Sequence, residues 1–378
     1  MDWKIPLFKT YSDDDDVEAV SRVIRSGMYW TNGPDVSELE KEFALYVGRK
    51  YALTFNSGTS ALHSVLLAHD VRGKEVIVPS FTFISTANAV ILAGGKPVFA
   101  EIEDGSYALD PSDVAERITK KTRAILPIHY AGGLCRGIKE LKEIADDNKI
   151  LLVEDAAESL GAKADGMLAG SFGDSAMFSF CQNKIVATGE GGMIATDDAD
   201  VFEKLKLIRS HGRVEAPGCD YFSSADDMDY IEVGYNYRMP SIIAALGRSQ
   251  LKKADKLIGM RRSNAEYISR GLSQIKDIIL PIPTKDFYHV YQMYTIRLKS
   301  SKVRDSLQKH LSDEGIMTKV YFNPVHLKTF YQKAYGCKEG DLPATEDISK
   351  RVLTLPFYPT MSRQEMNYLI GSIRSFFS

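Results

Sequence analysis

Two side chains carry the chemistry that can be read in this chain. Lys184 closes the run Met177-Phe178-Ser179-Phe180-Cys181-Gln182-Asn183-Lys184 and is followed by Thr188-Gly189-Glu190-Gly191-Gly192. Upstream, the apolar triplet Leu151-Leu152-Val153 runs straight into Glu154-Asp155-Ala156-Ala157-Glu158. A lysine in a serine- and glycine-punctuated turn offers an amine to an aldehyde, and an acid at the end of a buried strand offers a partner to a ring nitrogen. Those are the two demands of pyridoxal 5'-phosphate. In this reading Lys184 forms the covalent link and then acts as the base that moves a proton between the substrate carbon and the cofactor, while Asp155 keeps the pyridine nitrogen protonated. By itself Asp155 is equally suited to cap a helix starting at Ala156. A lone lysine is ordinarily a solvated surface group, so the assignment depends on its company.

The cofactor's phosphate needs donors at a helix start. Asn56-Ser57-Gly58-Thr59-Ser60-Ala61-Leu62 supplies a glycine for close backbone approach, flanking hydroxyls and a following helix, although any serine- and glycine-rich helix cap looks similar. Ser179 adds a hydroxyl five residues before the lysine, or is a satisfied core serine. The turn Val78-Pro79-Ser80-Phe81-Thr82-Phe83 offers two aromatics on which a flat ring can lie. Phe83 is the candidate, and at least one of the two phenylalanines fills core. Glu190-Gly191-Gly192 reads as a tight connection into the next strand.

These residues need a scaffold that brings strand ends together. Between residues 50 and 200, short apolar runs such as Val76-Ile77-Val78, Pro97-Val98-Phe99, Ala124-Ile125-Leu126, Ala176-Met177-Phe178 and Met193-Ile194-Ala195 alternate with helical stretches. That pattern predicts an α/β fold with a mostly parallel sheet covered on both faces. From Ile242 the chain reads as one long helical stretch to Leu272, and a large domain (residues 1–250) is expected to hand over there to a small α+β domain (residues 251–378). The small domain is expected to hold a strand over Val290–Leu298, a helix from Arg304 to Glu314 and a strand over Thr318–Phe322. Ser12 is expected to cap a first helix whose opening turn is the acidic run Asp13–Asp16.

Bulk properties narrow the function classes. The 47 basic and 50 acidic side chains of this 378-residue chain leave a formal charge of -3, so no global field recruits nucleic acid or an anionic membrane. Cys135, Cys181, Cys219 and Cys337 are widely separated and form no CxxC pair, which argues against a disulfide framework or a cysteine zinc site and suits a reducing, cytoplasmic compartment. The amino terminus lacks the basic and apolar blocks of a signal peptide, and no apolar run reaches the ~18 residues of a membrane span. No metal site is expected. A dinucleotide-binding oxidoreductase is disfavoured, because no GxGxxG follows an early strand.

Assembled in order, these segments resemble the DegT/DnrJ-type nucleotide-sugar aminotransferases, a branch of the fold type I pyridoxal-phosphate enzymes. The likeness runs nearly end to end. It takes in Gly33-Pro34, Asn56-Ser57-Gly58-Thr59, Val78-Pro79-Ser80-Phe81-Thr82-Phe83, Glu154-Asp155-Ala156-Ala157, Phe178-Ser179-Phe180 with Lys184, Gly234-Tyr235-Asn236-Tyr237-Arg238-Met239, Pro324-Val325-His326 and Leu355-Pro356. The resemblance implies amino transfer from L-glutamate to a keto group of a nucleotide-linked sugar, with Ser57, Gly58, Thr59, Phe83, Asp155, Glu158, Ser179 and Lys184 around the cofactor. It implies a homodimer in which Asn236 reaches the phosphate in the neighbouring subunit, with Arg238, Tyr321 and His326 facing the sugar or its diphosphate. One relative that dehydrates sugars carries histidine at the lysine position, so Lys184 favours transamination. Glu158 departs from the glutamine or histidine common at that position and is similar to the glutamate of perosamine-synthase-like members, which leans the expectation towards C4 of a 4-keto-6-deoxy sugar. The rivals are a 3-keto sugar, a keto-cyclitol acceptor, and a cofactor-holding regulator that no longer turns over.

Overall fold

The computed structural model describes residues 3–214 and 229–378, so Cys219 lies outside the described residues. The first half of the chain lays down β1 (Tyr51–Phe55), β2 (Glu75–Pro79), β3 (Lys96–Ala100), β4 (Thr122–Ile125) and β5 (Leu151–Asp155), then the short pair β6 (Lys163–Ala164) and β7 (Met167–Leu168), then β8 (Ser175–Ser179) and β9 (Gly192–Thr196). Seven of these form one sheet in the order β1-β9-β8-β5-β4-β2-β3. β3, β2, β4, β5 and β8 are mutually parallel, and β9 runs antiparallel to both of its neighbours.

Both faces of the sheet are covered, which is why its strands read as unbroken apolar runs rather than alternating ones. Val76, Val78, Val153, Met177 and Ile194 join the cluster packed under the helices Gly58–Ala68 and Ala199–Arg209. Their neighbours Ile77, Ile125 and Leu152 point the other way, onto the helix Ile138–Asp147, and Ala176, Phe178, Met193 and Ala195 pack onto the helices Pro34–Val47 and Ser241–Leu251. The strand period of two thus splits each run between two cores.

Beyond the sheet come β10 (Ile278–Ile279), β11 (Phe287–Tyr288), β12 (Tyr294–Leu298) and β13 (Val352–Leu355), of which β10, β12 and β13 form a three-stranded antiparallel sheet. With the helices Ser301–Asp313 and Arg363–Phe377 this sheet encloses a further core, which Ile5 also enters. The helix Ala254–Leu272 serves two cores: Leu257 and Ile258 pack into the large one, and Ala265, Ile268 and Leu272 into the small one.

Several local expectations change. The helical stretch from Ile242 to Leu272 is two helices, Ser241–Leu251 and Ala254–Leu272, broken at Lys252-Lys253. Lys253 pairs there with Asp13 and Asp16, the latter at 2.9 Å. The first helix is capped by Asp13 rather than Ser12, through a reciprocal box in which Asp16 accepts from the Asp13 amide at 3.0 Å. Thr318–Phe322 is no strand; within it only Lys319 bridges to Thr354. Turns rather than a helix follow Asp155. Among the described residues no helix is long and apolar enough to cross a membrane.

Candidate active site

The carboxyl ends of the parallel strands meet at one edge of the sheet, the place where open α/β folds gather ligands. β1 leads to Ser57, which caps the helix Gly58–Ala68: the Ser57 hydroxyl accepts from the Ser60 amide at 3.0 Å, and the Ser60 hydroxyl accepts from the Ser57 amide at 3.1 Å. The box leaves the first-turn amides of Gly58 and Thr59, which no helical carbonyl can reach, available to an anion. Ser179 ends β8 beside them. A Cβ on Gly58 would stand 3.2 Å from the Ser179 hydroxyl and 3.1 Å from its Cβ, so glycine keeps open the gap between these donors. Gly192 opens β9 under the same turn, where a Cβ would come within 2.4 Å of the Ser57 carbonyl oxygen. The Gly191-Gly192 pair is therefore more than a connection: it lets β9 pass beneath the helix start.

Asp155 ends β5 and is buried. Its Oδ2 accepts from the Thr86 hydroxyl at 2.9 Å, which is itself 2.8 Å from the Thr82 hydroxyl, and its Oδ1 accepts from the Ala157 amide at 3.2 Å. Burial pushes the carboxyl above the usual aspartate range, while Thr86, the Ala157 amide and the nearby charge of Lys184 oppose that rise. The adjacent Glu154 turns to the other face of the strand. It accepts from His129 Nε2 and from the amides of Gly170, Phe172 and Gly173 at 2.7–2.8 Å. Burial opposes its ionisation, but His129 and these amides outweigh it and hold the carboxyl below its ordinary value. The His129 amide donates to the Asp155 carbonyl at 3.0 Å, so this hub fixes the strand end that carries Asp155.

Lys184 sits in a turn held from two distant parts of the chain. The Thr10 hydroxyl donates to the Gln182 carbonyl at 2.7 Å, and the buried Gln292 amide donates to the Asn183 carbonyl at 2.5 Å. Lys184 Nζ donates to Glu158 Oε1 at 3.3 Å, and Glu158 Oε2 accepts from the Ala131 amide at 2.9 Å. Both side chains are 13% exposed.

These groups line one cavity of about 460 Å³, which brings together Ser57, Gly58, Thr59, Phe83, Asp155, Glu158, Ser179, Lys184 and Tyr321. Phe83 is 59% exposed and borders the cavity, whereas Phe81 is fully buried against Tyr107, Tyr130 and Phe322. Three expected residues lie elsewhere. His326 is buried outside the cavity, with Nδ1 2.6 Å from the Ser80 hydroxyl and Nε2 3.1 Å from Glu346, so both ring nitrogens are engaged within the protein. Arg238 donates to the Ser210 hydroxyl at 3.1 Å. Asn236 is exposed, and its carbonyl accepts from the Asn56 side chain at 3.3 Å. Conversely, Thr86, His129, Gln292 and Lys319 went unnoticed in the sequence. Thr86 lies in the first turn of the helix Ser85–Leu92, directly after the Phe81-Thr82-Phe83 turn, and that closeness was a usable signal for the first.

Comparison with known proteins agrees with this architecture. The DegT/DnrJ/EryC1/StrS aminotransferase family matches residues 10–374. The chain is 36% identical over 368 residues to the spore coat polysaccharide biosynthesis protein SpsC of Bacillus subtilis, spanning 95% of this chain and 94% of that one. It is 36% identical over 345 residues to the GDP-perosamine synthase of Caulobacter vibrioides, spanning 90% of each. Among solved structures, S. venezuelae DesV superposes with a TM-score of 0.88 at 32% identity over 98% of each chain. A match over almost its full length, on a fold shared with solved aminotransferases, makes this chain a member of the DegT/DnrJ/EryC1/StrS aminotransferase family.

Proposed function

We propose that the chain is a pyridoxal-phosphate aminotransferase that takes an amino group from L-glutamate and delivers it to a keto group, at C4, of a nucleotide-linked keto-deoxy sugar. The observation that carries this reading is the convergence, in one cavity, of a lysine amine, a buried aspartate and a helix start flanked by Ser179. The residues fit the cofactor in kind: Lys184 for its aldehyde, Asp155 for its ring nitrogen, Ser57, Gly58, Thr59 and Ser179 for its phosphate, and the exposed face of Phe83 for its ring. When bound, pyridoxal phosphate supplies an electron sink next to the carbon that gains or loses the amine.

The chain's own residues do the rest. Lys184 Nζ takes the proton from the donor's amine-bearing carbon and returns one in the opposite half-reaction, as a general base and then a general acid. Glu158, tied to the Ala131 amide, holds Nζ in place. Asp155 must be ionised to keep a proton on the ring nitrogen, and Thr86 favours that form. The GDP-perosamine synthase relatives, together with Glu158, support a 4-keto sugar as acceptor. A homodimer, with Asn236 serving the neighbouring phosphate site, completes the proposal.

The test is the visible spectrum of the purified protein with pyridoxal phosphate, before and after excess L-glutamate, with Lys184→Ala in parallel. A Lys184-dependent absorbance that glutamate bleaches is expected. An absorbance indifferent to glutamate would refute the donor, and none that depends on Lys184 would refute the cofactor.

A further inference from the structure

Both proposed substrates are anions, yet the cavity is lined by three carboxylates, Asp155, Glu158 and Glu190, against two ammonium groups, Lys184 and Lys319. Lys184 is committed to the chemistry and to Glu158. Without a further cation, a dicarboxylate donor or a sugar diphosphate would enter against its own charge.

Lys319 is placed to offer an oxyanion a local cation within that lining. Its backbone is pinned to β13 by two hydrogen bonds with Thr354, at 3.1 and 2.8 Å. Its Nζ lies over the Tyr321 ring, 4.6 Å from the centroid, and Tyr321 also lines the cavity. The Tyr321 backbone is held in turn, because its carbonyl accepts from the Tyr130 hydroxyl at 2.6 Å. Among the described residues no carboxylate forms an ion pair with Lys319, unlike the other lining lysine. An ammonium drawn over an aromatic face is positioned by the ring without a carboxylate partner and can take an oxyanion from a ligand.

We propose that Lys319 is the anion anchor of the active site, taking the substrate's carboxylate or diphosphate while the reacting carbon lies at Lys184. This rests on the amino-transfer reading above, in which both substrates use the cavity in turn. The shared ligand chemistry is an oxyanion, and the two half-reactions distinguish its source.

The experiment compares holoenzyme carrying Lys319→Ala or Lys319→Arg with wild type. The glutamate concentration that half-bleaches the visible absorbance is measured, together with the dissociation constants of GDP, UDP and dTDP by calorimetry. A roughly tenfold weakening for glutamate in Lys319→Ala identifies the donor carboxylate as the partner, and a similar weakening for a nucleoside diphosphate identifies the diphosphate. In either case Lys319→Arg recovers most of the loss and the spectrum before glutamate is unchanged. Equal affinities for every ligand in wild type and Lys319→Ala overturn the proposal. A wild type that ignores glutamate refutes the donor reading instead, and the nucleotide arm still decides the lysine.

Discussion

Thr86 is the side chain that most directly sets the state of the buried acid. Its hydroxyl donates to Asp155 Oδ2, and it is the largest of the influences opposing the burial that raises that carboxyl. Replacing it with valine keeps the shape and removes the donor, at a cost of about 1 to 1.5 kcal/mol to the ionised form. The sign follows: Asp155 works ionised, its ionised fraction falls as pH drops through its pKa, and a higher pKa moves that loss to higher pH. Thr86→Val should shift the acid limb of the kcat/KM profile upward by about one pH unit. A limb that stays put would show that Thr86 does not tune Asp155. Lys184 and Asp155 were legible in the sequence because amine and acid are chemically distinctive types in a telling local setting. His326 was not, because its surroundings are set by Ser80 and Glu346, one of them 246 residues away in the chain.

At the scale of elements, the last helix shows how a start signal is reinforced from elsewhere. Ser362 and Glu365 form a reciprocal capping box at the head of Arg363–Phe377, and Glu365 also accepts from Lys9 at 2.8 Å and from the Tyr358 hydroxyl at 2.6 Å. Burial opposes ionisation of Glu365, but Lys9, Tyr358 and the Ser362 cap prevail and hold its carboxyl at about 2. A pKa depressed in the folded state gives stability that is present above the unfolded value of about 4.3 and lost as pH falls through the folded one. Glu365→Ala should therefore cost about 1 kcal/mol at neutral pH, and its deficit in Tm should shrink between about pH 5 and pH 2. Thermal melts across that range check it, and a gap independent of pH would assign the effect to packing alone. The strands were legible for a related reason: a sheet covered on both faces demands continuous apolar runs, and Leu151-Leu152-Val153 or Met193-Ile194-Ala195 can hardly serve otherwise. What such runs cannot encode is direction, so the antiparallel entry of β9 between β1 and β8 was invisible. The break at Lys252-Lys253 was hidden as well, because no glycine or proline marks it and the ion pairs of Lys253 lie with Asp13 and Asp16.

For the whole molecule, the homodimer proposal turns on Asn236. Its carbonyl accepts from Asn56, next to the Ser57-Gly58-Thr59 turn of the same chain, while its side chain is exposed and lies outside that chain's cavity. The homodimer proposal puts that side chain at the neighbour's phosphate, and mixed subunits distinguish the two arrangements. In a heterodimer of Lys184→Ala and Asn236→Ala, service across the interface gives one site with both lesions and one with neither. Service within a chain gives each site one lesion. Random mixing of equal amounts makes half the dimers mixed, so service across the interface should restore about a quarter of wild-type sites from two nearly inactive proteins. Subunits exchanged through mild denaturation and assayed for glutamate-dependent bleaching give the count. Recovery near a quarter supports a shared site, whereas recovery no greater than the average of the two parents would place Asn236 at its own chain's phosphate turn, beside Asn56.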